Sequence, residues 1–121
     1  MKWVLWLNTV AETIIAVGMF SAPASFFPGA AGPAAAIARA FSFAILAVAF
    51  ISLTLTRRET SAATLRNGVA ILTFYHAAQL IAQFVNAGLH PPLLLPPVFI
   101  HTVFTALFVI YLARLVRSSR A

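Results

Sequence analysis

Four stretches of this chain, about residues 3–21, 34–55, 67–87 and 97–116, are apolar for long enough to cross a lipid bilayer. A hydrocarbon core of about 30 Å is spanned by ~20 helical residues. Inside it, only helices and closed barrels satisfy the backbone's own hydrogen bonds. Runs this long are helices, so the expected fold is all-α: an integral membrane four-helix bundle with up-down antiparallel topology. The four spans and their loops use up the 121 residues, leaving room for a single transmembrane domain.

The composition agrees. Hydrophobic residues make up 62% of the chain and charged ones 8%, against about 25% charged in soluble domains. The absence of cysteine excludes disulfides, thiolate metal sites and cysteine nucleophiles.

The first run carries Asn8, Thr9, Glu12 and Thr13. With Lys2 before it and Ser21-Ala22-Pro23-Ala24 after, it has the outline of a signal peptide. A glutamate in the middle of such a segment is out of place, and the run is read as a helix. A Pro- and Gly-rich loop follows, with Pro23, Pro28, Gly29, Gly32 and Pro33. In the second span Ala36, Ala40 and Ala44 form a small-xxx-small row, a pattern that lets helix backbones approach. Arg57 to Arg66 reads as a solvated linker. Gly88, Pro91, Pro92, Pro96 and Pro97 then break the chain before the last span.

Seven of the eight basic residues, all but Arg39, flank the N-terminus, the second loop or the C-terminus. Four spans put those three regions on one side, and the positive-inside rule makes that side cytoplasmic. The net charge of +6 is thereby explained by topology and anionic headgroups, and nucleic acid is not an expected partner. Trp3 and Trp6 suit an interfacial belt.

In so apolar a chain the polar residues inside the spans carry the information. A charged group at the centre of a membrane helix costs ~2.5–3.5 kcal/mol on insertion scales and commonly marks function. The candidates are Glu12, Arg39, His76 and His101. Glu12 follows Lys2, and His76 follows Arg66, by ten residues. At ~1.5 Å per residue both lie ~15 Å deep, near the midplane. Arg39, Gln83 and His101 fall near the opposite ends of their spans, in a second layer. His76, Gln79, Gln83 and Asn86 share one helical face and would join the layers. His101 and Thr105 share another, as do Asn8 and Glu12. These residues outline an interior polar pathway with a Glu12–His76 acid–base pair at its end and Asn8, Arg39, Gln79, Gln83, Asn86 and His101 as ligand-binding groups. The same polar groups would also serve as interhelical hydrogen-bond glue. His90 sits in the Pro-rich loop and is given no role.

With a hairpin centred near residue 91, His101 faces residue ~81 and lies ~8 Å along the axis from His76. That offset suits neither axial haem ligation nor a shared zinc ion, and HExxH and CxxCH motifs are absent. No metal and no cofactor are expected.

The order of landmarks is a Glu in the first span, a Pro-rich loop, "IARAFSFAIL", an Arg-containing loop, "FYHAAQ" and "PPVFIHTVFTALF". This layout resembles the small four-span bacterial membrane proteins grouped loosely with DoxX-like proteins, over nearly the whole chain. The resemblance implies a four-helix fold in a bacterial inner membrane. The redox association of DoxX-like relatives is not carried over, because this chain has no cysteine and no quinone motif.

Three roles are compatible with these residues. The favoured one is small-ligand binding or proton-linked transport at the polar site. The others are an accessory subunit of a membrane complex and an intramembrane acid–base enzyme, an isomerase or cyclase, acting on a lipophilic substrate. Expected partners are membrane lipid, a lipophilic or small polar ligand, and a second copy of the chain or a membrane-complex subunit.

Overall fold

A computed structural model describes residues 1–27, 29–87 and 95–118, the side chains of residues 86, 87 and 95–97 excepted. The described residues form five helices and no strand: α1 (Lys2–Ser21), α2 (Pro23–Phe26), α3 (Gly32–Leu55), α4 (Ala62–Ala87) and α5 (Leu95–Ser118). All but the short α2 are long and apolar enough to cross a membrane. The chain divides into two compact units, Lys2–Arg58 and Glu59 onward, and each is built on one pair of long helices.

The helix ends differ from the sequence expectation where capping decides them. α4 starts at Ala62, five residues ahead of Asn67, because Ser61 caps it: Thr64 N–H donates to Ser61 Oγ (3.1 Å) and Leu65 N–H to the Ser61 carbonyl (2.9 Å). Part of the supposed linker is therefore helical. The Pro-rich loop holds α2, opened by Pro23, whose fixed φ suits a first helical turn. The turn into α3 uses left-handed φ at Gly29 (81°) and Gly32 (52°), where a Cβ would be strained. The connection at residues 88–94, with His90, lies outside the described residues.

In the first unit α1 and α3 run antiparallel. Lys2 meets Thr56 and Arg57, Asn8 meets Ser52, Thr9 meets Ala49, and Phe20 meets Arg39. The buried face of α3 is Ala35, Ala38, Ser42, Ile45, Ala49 and Ser52. This spacing alternates three and four, which keeps one seam facing a neighbour along the helix. Ala16 and Met19 of α1 pack there on Ala38 and Ile45. Lipid offers no hydrophobic drive between helices, so close van der Waals contact over small residues must hold the pair. The row Ala36, Ala40, Ala44 does not supply it. Those residues are exposed, because a strict four-residue step drifts about 40° around the helix per repeat and leaves the seam.

Both ends of this unit are tied by cations. Lys2 Nζ donates to the carbonyls of Thr56 (3.2 Å) and Arg57 (2.6 Å), just past the C-terminus of α3. Arg39 Nε donates to the Phe20 carbonyl (3.2 Å) in the last turn of α1. Each positive charge thus meets the negative end of the partner helix's dipole and an otherwise orphaned carbonyl.

In the second unit the seam is aromatic. Val69, Leu72 and His76 are buried on α4, and His101, Phe104, Phe108 and Tyr111 on α5, again at steps of three and four. Trp3 and Trp6 are exposed, as expected of interface anchors, and the exposed phenylalanines fit a lipid-facing surface.

The buried Asn8–Ser52 bond (2.7 Å) is the central polar contact of the first unit. A double-mutant cycle of Asn8→Ala and Ser52→Ala, read from unfolding in mixed micelles, is expected to give a coupling of about 0.6 kcal/mol.

Candidate functional site

Five polar side chains predicted to matter now have places, beginning with α1. Asn8 and Glu12 stand one turn apart on its buried face, in line with Ala16, and both are essentially inaccessible. Asn8 Nδ2 donates to Ser52 Oγ of α3. Arg39 is exposed, with its guanidinium on the Phe20 carbonyl. Gln79 and Gln83 are half-buried on α4, on the side of the helix that carries His76. The side chain of Asn86 lies outside the described residues.

The principal finding concerns the two histidines. His76 of α4 and His101 of α5 place Nδ1 against Nδ1 at 3.0 Å, and both side chains are buried. This overturns the expected 8 Å offset and moves His101 out of a separate outer layer. Packing geometry accounts for the difference. A side chain on an antiparallel neighbour inserts as a knob between residues spaced i, i+3, i+4 and i+7. His76 enters such a hole, which His101, Phe104 and Phe108 help to form. One knob therefore touches residues seven apart, a reach of ~10 Å along the partner axis.

Rings hold the imidazoles in place. His76 stacks on Phe104 (centroids 5.0 Å apart, planes at 21°) and on Phe108 (5.5 Å, 20°). Tyr75 presents a perpendicular ring to His76 at 5.0 Å and to His101 at 6.2 Å. Such stacked and edge-on arrangements are the favourable ones for aromatic rings. Thr105, on the same face as His101, donates its hydroxyl to the His101 carbonyl (2.7 Å), within its own helix.

Sequence reasoning named both histidines but missed Tyr75, Phe104 and Phe108. The signal was present in the steps 101, 104, 108 and 111, which mark the same seam as His101. It was masked because phenylalanine is abundant and reads as lipid-facing bulk.

The chemistry of the pair follows from its geometry. Two Nδ1 atoms at 3.0 Å form a hydrogen bond only if one carries the proton and the other offers its lone pair. When both rings are neutral, they are then in different tautomers. Among the described residues, this contact brings two buried imidazole nitrogens to a common point. Comparison of the chain with protein-family models, with curated proteins and with solved structures finds no match.

Replacing one ring isolates the other's polar atom, whereas replacing both removes the problem. His76→Phe keeps the ring stack and is expected to lower stability by about 1–3 kcal/mol. The double variant His76→Phe/His101→Phe is expected to be more stable than the single one, measured by thermal unfolding in detergent.

Proposed function

We propose that this chain is a multi-pass membrane protein that binds a small ligand at a polar site inside the bilayer, centred on His76 and His101. The observation that carries this reading is the 3.0 Å contact between two buried imidazoles. Polar groups at membrane depth are costly and are retained where they pair or serve a function. A hydrogen bond intended only to join helices needs nothing more than an Asn–Ser contact, such as the one the first unit has. Two histidines bracketed by Tyr75, Phe104 and Phe108 offer instead a fixed, ring-walled pair of nitrogens. That favours a binding role over a purely accessory one.

The seven-to-one split of basic residues supports a cytoplasmic location for both ends, and the layout supports a bacterial inner membrane. Because the chain has no cysteine, single-cysteine variants test the first point directly. A maleimide that does not cross membranes should label Ala30→Cys in intact cells, and Ser61→Cys only after the membrane is opened.

Native mass spectrometry of the protein extracted from expressing membranes tests the binding role. Wild-type protein should carry a non-lipid bound mass that is absent from folded His76→Phe and His101→Phe. Wild-type protein without any bound mass, or variants that keep it, would contradict the proposal.

A further inference from the structure

The geometry points to a late first-row transition-metal ion as the ligand of the His76–His101 pair, bound through both Nδ1 atoms. This inference rests on the binding role proposed above and names the class of ligand.

Three features of the pair carry it. The first is that both rings direct the same atom, Nδ1, at one point from opposite helices, 3.0 Å apart. Metal–imidazole bonds are about 2.0–2.1 Å long, so two nitrogens on a tetrahedral ion stand ~3.3 Å apart. The pair accepts an ion beside the line joining its nitrogens by opening a few tenths of an ångström and turning each ring by roughly 35° so that both Nδ1 lone pairs meet at the ion, without a change of register. The second is that the rings are held before any ligand arrives: Phe104 and Phe108 stack on His76, and Tyr75 sits edge-on to both imidazoles. Imidazole is a good donor for zinc, copper, nickel and iron, and a poor one for magnesium or calcium. The third is burial: both imidazoles are shielded from solvent inside the protein, and a hydrophobic shell around a metal site controls solvent access and tunes the ion.

The proton balance is simple. Before binding, one imidazole carries its hydrogen on Nδ1 and donates it to the other ring. On binding, that hydrogen moves to Nε2 of the same ring, and both Nδ1 lone pairs go to the ion. Each ring remains neutral with one N–H, and no proton is released by the pair.

Untagged protein in detergent is stripped with chelator and equilibrated separately with Cu(I), Zn(II), Ni(II) and Co(II). Metal retained through gel filtration is then counted by elemental mass spectrometry. Wild-type and His90→Ala protein should retain about one equivalent of at least one ion per chain. His76→Phe and His101→Phe should fall to the level of a metal-free control. In ¹⁵N-histidine-labelled wild-type protein the same ion should shift both Nδ1 resonances, a readout that does not depend on a variant folding. No retention of any of the four ions, equal retention by the histidine variants, or unshifted Nδ1 resonances would overturn the metal assignment. If native mass spectrometry then shows an organic mass that depends on His76 and His101, the binding role stands and the metal alone is wrong. If it shows no bound mass, both fail.

Discussion

A polar group in hydrocarbon has no water to turn to, so each one must find its partner within the protein. That requirement shapes this chain at every scale. The backbone answers it with long helices. The hydroxyls of Thr9, Thr13, Ser42, Thr54, Thr73 and Thr105 answer it by donating to carbonyls three or four residues back. Lys2 and Arg39 answer it at the helix ends, where carbonyls are left over. What remains are the few side chains that the helices themselves cannot satisfy, among them Asn8, His76 and His101, and these pair across helices.

The two units meet the requirement differently. α1 and α3 approach over small residues, Ala16 on one side and Ala35, Ala38, Ser42 and Ala49 on the other, with the Asn8–Ser52 bond buried between them. α4 and α5 are held by rings, and the polar contact there is between two side chains that are also metal donors. Small residues build an interface that closes. Rings around a pair of nitrogens build one that presents atoms at a fixed spacing, and a binding site needs that.

Much of the fold was legible because hydrophobic length is a strong signal. All four long helices were read from it; the start of α4 was misplaced by five residues, where Ser61 caps it, the starts of α1, α3 and α5 and the end of α5 by one or two, and the short α2 was not anticipated. The choice of His76 and His101 was legible for the same reason: ionisable groups stand out in an apolar background. Their contact was not. Counting residues from a guessed hairpin centre gives the heights of Cα atoms, whereas a knob in its hole touches residues a full seven apart. The course of the α1–α3 seam was not legible for a related reason. Abundant alanine offers several small-residue rows, and the seam through Ala35, Ala38 and Ser42 is distinguished from that through Ala36 and Ala40 only by where α1 lies. Thr105 does share a face with His101, but sequence cannot show that its hydroxyl is already bonded to its own helix.

His76 and His101 share one hydrogen bond through their Nδ1 atoms, and the reading of the site depends on it. With three histidines in the chain, ¹⁵N labelling of histidine gives a spectrum simple enough to assign. A scalar coupling across the hydrogen bond, linking the Nδ1 resonances of His76 and His101 in metal-free protein, is the predicted result. Two rings that both carry their proton on Nε2, with no coupling between their Nδ1 atoms, would contradict it.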